Sequence, residues 1–353
     1  MEYGHGGDIY TYENMLDFSV NVNPLGISET AVQAAKRGVE QSGNYPDSRC
    51  RRLTKALSEA MGLPQSYFLA GNGAADLFYS LVLAERPKQA LLPVPAFSEY
   101  EQALKTADCR IRYHELKREN HFRIDESILE ELTEDLDIVF LCSPSNPAGQ
   151  ALEKDFAVEI AERCREKKIR LVLDECFIEF LSDPEAYSMI REVEKFPCLF
   201  LVRAFTKMHA MPGLRLGYAL SSDEELLERI QQIRQPWSVS VPAQEAGIAV
   251  LAETERTEQT RQLIKKERGK LERELRDLGI EVIPSEANFL LMNCPLDLFS
   301  LLKEKQILIR DCSNYRGLGK GWYRIAVRTA KENEILLKAV REVVSASEGK
   351  ENG

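Results

Sequence analysis

The sequence predicts an α/β fold, in which a mostly parallel sheet lies between helices and a smaller α+β domain is attached. Short apolar runs at residues 137–141 and 169–173 alternate with an amphipathic segment at residues 152–168. Apolar runs bounded by turn residues are typical of strands covered on both faces, and their alternation with helices is typical of parallel sheets. The length of 353 residues allows two domains and a substantial core. We therefore expect the functional site at the carboxyl ends of the strands.

Composition excludes several classes of protein. The formal net charge is −10 and no block of basic residues is present, which argues against a nucleic-acid partner. No stretch approaches the ~20 apolar residues of a membrane span, and the N-terminal residues lack the charged leader and apolar core of a signal peptide. The eight cysteines are scattered without C-x-x-C pairs, so we expect a reducing cytoplasm and no structural metal.

Lys207 is the first candidate for chemistry. It lies in the segment 204–220 (AFTKMHAMPGLRLGYAL), just after a buried-looking strand at 198–202. An ammonium group in such apolar surroundings loses solvation, so its pKa falls and the neutral amine becomes a nucleophile that typically forms a Schiff base. Arg215, eight residues further on, is placed to neutralise a phosphate. The alternative is a surface lysine at a strand-to-loop corner.

Two more polar residues follow predicted strands upstream. Asp174 ends the buried run 169–173, and a buried carboxylate needs a cationic partner because an isolated buried charge is costly. A protonated ring nitrogen of a cofactor is one such partner. Asn146 follows the run 137–141, within a turn that presents its side-chain amide. A lysine, a carboxylate and an amide at three consecutive strand ends are typical of a site that binds the ring of pyridoxal phosphate.

The separated motifs SNPAG, LDE and TKMHAMPGLRLGY resemble the fold-type I pyridoxal-phosphate enzymes, the aminotransferase superfamily, in wording, order and spacing. The resemblance implies an aspartate-aminotransferase-like fold and a pyridoxal 5′-phosphate cofactor attached to Lys207. It implies that Asp174 contacts the ring nitrogen and that Asn146 contacts the ring hydroxyl. Arg215 and Thr206 are implied at the cofactor phosphate.

A glycine-containing corner follows the predicted strand at 67–70, in the segment GNGAADLFYS. Such a corner leaves the backbone N–H groups of Gly73, Ala74 and Ala75 facing an anion. A tight turn without a ligand is the alternative, but the resemblance implies that this corner holds the cofactor phosphate. The resemblance also implies that Phe97 stacks on the pyridine ring, where the alternative is a core phenylalanine.

The N-terminal segments resemble one branch of the superfamily. His5-Gly6-Gly7 and the run LDFSVNVNPLG, which contains Asn23, resemble the threonine-phosphate decarboxylases, cobalamin-pathway relatives of the histidinol-phosphate aminotransferases. We therefore expect His5 and Asn23 to bind substrate, the alternative for His5 being a histidine of a disordered terminus. The segment from Tyr45 to Asp47 resembles a family loop whose tyrosine reaches the cofactor phosphate of the neighbouring subunit, which implies a homodimer with shared active sites.

Four arginines cluster in the C-terminal part of the chain. The segment YRIAVR resembles the family strand whose arginine pairs with the substrate carboxylate, here Arg324. Arg310 matches a position that binds the substrate phosphate in relatives with phosphorylated substrates. Arg316 and Arg328 either bind anions at the same site or lie at the surface. Positive charge beyond that needed by the cofactor favours a doubly anionic substrate.

Two positions depart from the family pattern. Phe177 stands where many aminotransferases have a tyrosine that hydrogen-bonds the ring oxygen, and Ala204 stands where a serine often contacts the cofactor phosphate. We still expect Phe177 to lie against the cofactor. The missing hydroxyl at this position suits the decarboxylase branch.

We expect residues 44–253 to form the larger, cofactor-binding domain, with residues 1–43 as an N-terminal arm and 254–353 as the smaller domain. The leading functional hypothesis is a decarboxylase of a small phosphorylated amino acid. The alternatives are an aminotransferase of the histidinol-phosphate type and a non-catalytic sensor that binds pyridoxal phosphate. Decarboxylation requires the carboxylate perpendicular to the ring, and no sequence motif sets that angle.

Overall fold

The computed structural model describes residues 4–351, with side chains described to residue 347. The strands of this part of the chain are Leu16–Asp17 (β1), Phe68–Gly71 (β2), Gln89–Val94 (β3), Arg110–Glu115 (β4), Ile138–Cys142 (β5), Arg170–Asp174 (β6), Leu199–Ala204 (β7), Gly217–Leu220 (β8), Glu281–Val282 (β9), Phe289–Asn293 (β10), Ile307–Leu308 (β11), Arg310–Asp311 (β12) and Trp322–Ala326 (β13). The α-helices are Glu29–Glu40 (α1), Arg51–Met61 (α2), Gly73–Glu85 (α3), Ser98–Lys105 (α4), Ser127–Glu131 (α5), Lys154–Lys167 (α6), Phe205–Met208 (α7), Glu224–Ile233 (α8), Val241–Val250 (α9), Thr254–Asp277 (α10), Leu298–Lys303 (α11) and Ala330–Glu351 (α12).

The larger sheet has seven strands in the order β2–β8–β7–β6–β5–β3–β4. The pairs from β7 through β4 are parallel, and only β8 runs antiparallel to its neighbours β2 and β7. The carboxyl ends of β3, β5, β6 and β7 therefore meet at one edge of the sheet. This arrangement confirms the predicted mostly parallel sheet, with one antiparallel strand inserted.

Alternate residues along the strands enter two separate cores, one on each face of the sheet. In β5, Val139 and Leu141 belong to one core and Ile138 and Phe140 to the other. Successive side chains of a strand point to opposite faces, so an unbroken apolar run is what a sheet covered on both sides requires. Helices α1, α2, α6 and α9 contribute to the first core, and α3, α4 and α8 to the second.

The smaller domain is built on a four-stranded antiparallel sheet, in the order β12–β13–β10–β9. Helices α10, α11 and α12 bury apolar residues against this sheet in a third core. The N-terminal arm joins the same core through Phe18, and β1 pairs in parallel with β11. The predicted smaller α+β domain is thereby confirmed.

The predicted domain limits stay a prediction, but the packing attaches two N-terminal elements to different cores. Ala31 of α1 lies in the core of the larger sheet, and a Cβ at Gly38 would lie 2.6 Å from the Cα of Pro242 in α9. The close approach of α1 and α9 depends on that missing side chain. Helix α1 therefore packs with the larger domain, whereas β1 belongs to the smaller one.

The long charged run of the chain forms α10, which a break at residues 251–253 separates from the mostly uncharged α9. One stripe of α10, which includes Ile264, Leu271 and Leu275, is buried, and the remaining positions are largely charged and solvent-facing. Across the described residues, no helix combines the length and the apolar composition needed to cross a membrane.

Candidate active site

Lys207 lies on a single helical turn directly beyond the carboxyl end of β7. The chain leaves the sheet at Ala204, and α7 buries Phe205 and Met208, so that the turn is anchored on both sides of the lysine. The Nζ of Lys207 lies 5.4 Å from the ring centroid of Phe177. Burial, reinforced by the nearby positive charge of Arg324, lowers the pKa of Lys207 to about 8. Lys207 is therefore placed and tuned to act as an amine nucleophile.

Asp174 is the last residue of β6, the strand next to β7, and its carboxylate is held at both oxygens. The backbone N–H of Cys176 donates to Oδ1 at 2.8 Å, and the hydroxyl of Tyr100 donates to Oδ2 at 2.5 Å. Burial raises the pKa of Asp174, while these hydrogen bonds and the charge of Lys207 oppose that rise. A carboxylate so placed favours a cationic partner, such as a protonated ring nitrogen.

Asn146 follows β5 and meets the smaller domain. The Nη1 of Arg324, on β13, donates a hydrogen bond to the Oδ1 of Asn146, and its Nη2 donates to the carbonyl oxygen of Ser19 at 3.0 Å. The guanidinium lies 5.4 Å from the ring centroid of Phe289. The Nε of Arg324 is buried without a hydrogen-bond partner in the described part of the chain, so a donor is left over for an anion.

Arg215 lies against the corner between β2 and α3, and the two together form a cradle suited to an anion. Gly73 has a φ of +80°, and a Cβ there would lie 2.5 Å from the Nη2 of Arg215. The first turn of α3, which includes Ala74 and Ala75, has no side-chain cap at Asn72. Its N–H groups are therefore available to an anion at the positive end of the helix dipole.

These elements surround a cleft of about 440 Å³. The residues predicted for the site that line it are His5, Ala75, Phe97, Asn146, Phe177, Thr206, Lys207, Arg215, Arg310 and Arg324. The groups fit pyridoxal phosphate: an amine for its aldehyde, a carboxylate for its ring nitrogen, an amide for its hydroxyl, and a helix N-terminus with a guanidinium for its phosphate. Two aromatic rings, Phe97 and Phe177, form apolar walls of the cleft, which suit a flat pyridine ring.

The structure does not bring Asn23 or Arg328 to the cleft, which corrects their predicted placement. The Nδ2 of Asn23 donates to the carbonyl oxygen of Met208 at 2.8 Å and to the Oγ1 of Thr260 at 2.9 Å, so this amide anchors the arm behind α7. Arg328 donates to the carbonyl oxygen of Asp17 at 2.9 Å, and its other guanidinium nitrogen pairs with Glu332. Both side chains hold the smaller domain and the arm together instead.

Arg316 and Tyr45 also lie outside this cleft. The guanidinium of Arg316 lies 3.9 Å from the ring centroid of Tyr113, in an adjoining pocket of about 290 Å³ that shares Arg310 with the cleft. Tyr45 is 80% exposed and stacks on Trp237, with ring centroids 4.7 Å apart. Its predicted contact with a neighbouring subunit stays a prediction.

Sequence reasoning missed several residues at the site, among them Tyr100, Asn21 and Tyr315. Tyr100 contacts Asp174, and it follows Phe97 by three residues, a spacing that places both on one helical face. Asn21 lines the cleft, and its buried Oδ1 has no hydrogen-bond partner among the described residues. Local alternation could not separate it from Asn23, because residues two apart in an extended arm share a face. Tyr315 lines the cleft beside Arg310, and no local pattern marked it.

The fold and the site together define a pyridoxal-phosphate-dependent enzyme of fold type I. The chain belongs to the aminotransferase class I and II family, whose model matches residues 13–340. This membership confirms the predicted family, the cofactor and the enzymatic nature of the chain.

Named relatives include both a decarboxylase and aminotransferases. The threonine-phosphate decarboxylase of Salmonella typhimurium is 36% identical over 97% of this chain and 96% of its own length. The crystal structure of the histidinol-phosphate aminotransferase from Clostridium acetobutylicum is 31% identical, with a TM-score of 0.88 over 94% of this chain and all of that one. The histidinol-phosphate aminotransferase from Sinorhizobium meliloti, solved in complex with pyridoxal 5′-phosphate, has the same fold at 22% identity, with a TM-score of 0.83 over 93% of this chain and 90% of its own.

Proposed function

We propose that this chain is a decarboxylase of a small phosphorylated amino acid, with O-phosphothreonine as the leading substrate. The observation that carries this proposal is a third guanidinium in the cleft. Arg215, Arg310 and Arg324 all line it, and within residues 4–347 none of the three forms an ion pair with a carboxylate. Unpaired cations in a cleft favour anionic ligands.

The three guanidiniums match three anionic groups. Arg215 lies against the Gly73 corner, so it serves the cofactor phosphate. Arg324 lies beside Asn146 and serves the substrate carboxylate. Arg310 lies further along the cleft, where its Nη2 donates to the Oδ1 of Asn314 at 2.9 Å. The cofactor phosphate and the substrate carboxylate leave Arg310 without an anionic partner, and a phosphate on the substrate would supply one.

When bound, pyridoxal phosphate supplies an electron sink for the bond that breaks at the substrate α-carbon. The chain supplies the charges and the proton transfers around it. Asp174 stabilises positive charge at the ring nitrogen, and Arg324 orients the substrate carboxylate. Lys207, with a pKa of about 8, delivers a proton from Nζ to the α-carbon after carbon dioxide leaves.

Phe177 supports decarboxylation over transamination. Its ring lies 5.0 Å from that of Phe289 in an edge-to-face contact and lines the cleft, so an apolar edge faces the cofactor where a tyrosine hydroxyl stands in many aminotransferases. Without that hydroxyl, Asn146 is left to serve the ring oxygen. The 36% identity to a threonine-phosphate decarboxylase over nearly the whole chain points in the same direction.

The second candidate is a histidinol-phosphate aminotransferase, favoured by the 31% identity and close fit to the Clostridium acetobutylicum structure. One experiment separates the two. The loaded protein is given O-phosphothreonine alone, and separately histidinol phosphate with 2-oxoglutarate, and carbon dioxide and glutamate are measured. We expect carbon dioxide from the first mixture and no glutamate from the second. Glutamate without carbon dioxide would establish the aminotransferase. If neither product forms, the result would favour a non-catalytic sensor.

We also propose a homodimer in which Tyr45 reaches the neighbouring active site. The exposed Tyr45–Trp237 stack, which does not line the chain's own cleft, supports this arrangement. The test mixes inactive Lys207→Ala chains with Tyr45→Ala chains. A mixed dimer contains one site with both Lys207 and a partner tyrosine, so we expect activity above that of the Tyr45→Ala dimer. Mixtures that show no gain, or a chain that sediments as a monomer, would contradict the proposal.

The cytoplasm is the compartment that we propose for this enzyme. All eight cysteines are free, and most of them are buried as small core side chains. Unpaired buried thiols suit a reducing compartment. Thiol titration of the denatured protein without reductant is expected to find eight thiols, and a value of six or fewer would contradict this placement.

A further inference from the structure

We propose that Tyr100 is a positioning residue that holds the Asp174 carboxylate as an anion aimed at the cofactor ring nitrogen. The inference rests on the proposed role of Asp174. The hydroxyl of Tyr100 donates to the Oδ2 of Asp174 at 2.5 Å, within the buried base of the site. The backbone N–H of Cys176 donates to the other oxygen, Oδ1, at 2.8 Å. Two donors from different parts of the chain therefore fix the plane of the carboxylate.

The ring of Tyr100 is held by aromatic neighbours, which fix the position of its hydroxyl oxygen beside Asp174. Tyr100 is 1% exposed. Its ring meets Phe78 edge-on at 5.1 Å and lies nearly parallel to Phe140 at 5.4 Å. Two close ring contacts of different orientation prevent rotation of the side chain without repacking of the core. The hydrogen bond to Asp174 is therefore built into the core that covers this face of the sheet.

Tyr100 also supports the wall of the cleft. Its ring meets Phe97 at 5.6 Å with an interplanar angle of 85°, and Phe97 lines the cleft. One side chain thus contacts both the carboxylate proposed for the ring nitrogen and the ring proposed to stack on the pyridine. The two roles are separable, because replacement by phenylalanine keeps the ring contacts and removes only the hydroxyl.

The hydroxyl acts on the charge of Asp174. Burial raises the pKa of that carboxyl group, and the donors at its two oxygens oppose the rise. Burial also raises the pKa of Tyr100 well above its usual range, so the phenol keeps its proton and remains a donor. A hydrogen bond to an ionised group is among the stronger polar interactions in a protein core. Its loss makes the carboxylate less stable, and a ring nitrogen that depends on this carboxylate then loses its own proton more readily.

The test is a pH titration of the loaded protein carrying ¹⁵N-labelled pyridoxal phosphate, followed by the ¹⁵N chemical shift of the ring nitrogen. We expect a protonated nitrogen in the wild-type protein, and a midpoint about one to two pH units lower in Tyr100→Phe, the shift that loss of one charge-assisted hydrogen bond predicts. The turnover number with O-phosphothreonine should fall roughly tenfold to a hundredfold, with KM changed by less than about threefold.

Tyr113→Phe is the matched control, because it removes the same phenolic oxygen as Tyr100→Phe. Tyr113 lies half-buried on β4 and does not contact Asp174. Its ¹⁵N midpoint should equal that of the wild type. A Tyr100→Phe midpoint equal to that of the wild type, in a protein with an unchanged melting temperature, would overturn the role of Tyr100 and leave that of Asp174 intact. An unprotonated nitrogen in the wild-type protein would overturn both.

Discussion

The guanidinium of Arg324 donates a hydrogen bond to the side-chain oxygen of Asn146, and this contact joins the two domains across the cleft. Arg324 lies on β13 of the smaller sheet, and Asn146 follows β5 of the larger one. The residue that we propose for the substrate carboxylate is therefore coupled directly to the residue that we propose for the cofactor ring hydroxyl. Binding of the substrate carboxylate at Arg324 is therefore expected to affect the contacts of Asn146.

Replacement of Arg324 by lysine tests this coupling. Lysine keeps the positive charge but cannot contact Asn146, Ser19 and a carboxylate from one rigid plane. We expect kcat/KM with O-phosphothreonine to fall roughly a hundredfold, as loss of a paired charged hydrogen bond predicts. The control ligand is the phosphorylated amine formed by decarboxylation, which lacks the carboxylate and should bind the variant as well as the wild type. Equal weakening of both ligands would contradict the assignment.

Replacement of Arg310 by glutamine tests recognition of the substrate phosphate. The variant should lose roughly tenfold to a hundredfold in kcat/KM for O-phosphothreonine, because one charged contact to the phosphate is lost. Any reaction of the variant with unphosphorylated threonine should proceed as in the wild type. Arg328→Gln is the matched control, since Arg328 is tied to Asp17 and Glu332 away from the cleft. The Arg328→Gln substitution should lower the stability of the fold without changing the preference for O-phosphothreonine over threonine. An unchanged preference in the Arg310 variant would argue against a phosphate site there.

The sequence was informative where one local pattern dictates one structure. The run that ends at Asp174 is a strand with Leu171, Val172 and Leu173 at its centre, and the segment at Lys207 leaves the sheet because the apolar run stops there. Both residues could therefore be placed at strand ends without coordinates. Helix α2 likewise ends where its sequence provides a cap, since Gly62 follows Met61 with a φ of +66°.

The arm and the arginines could not be resolved in this way. Asn21 and Asn23 are identical in type and two residues apart, and only the path of the arm over α7 decides which one faces the cleft. Arg328 lies in the same short segment as Arg324, yet its guanidinium hydrogen-bonds the carbonyl oxygen of Asp17 and the carboxylate of Glu332. Such partners come from elements distant in the chain, and local periodicity contains no information about them.

The Gly73 corner predicts a steric effect on cofactor affinity. Alanine at position 73 would strain a φ of +80° and drive a methyl group toward Arg215. We expect stability to fall by about 1–2 kcal/mol and the affinity for pyridoxal phosphate to fall at least roughly tenfold, measured by fluorescence titration. Gly269→Ala is the control, because the surroundings of Gly269 on α10 are open and alanine favours a helix. Equal affinities in the two variants would count against an anion site at this corner.

The lowered pKa of Lys207 predicts how cofactor attachment depends on pH. Attachment requires the neutral amine, whose fraction rises with pH through the pKa of about 8. The attachment rate should therefore increase roughly tenfold between pH 7 and pH 9 and then level off, as followed by absorbance after pyridoxal phosphate is added. The ε-amine of a model lysine peptide is the control, and its rate should still increase above pH 9. A protein rate that continues to climb to pH 10.5 would show an unperturbed lysine.

The central claim is that Lys207 is the residue that carries pyridoxal phosphate. Its most direct test is borohydride reduction of the loaded protein, followed by peptide mapping with mass spectrometry. We predict one modified peptide, with the added mass of the reduced cofactor on Lys207 and none on Lys207→Ala protein. An added mass on a different lysine, or no added mass in the wild-type protein, would contradict the account.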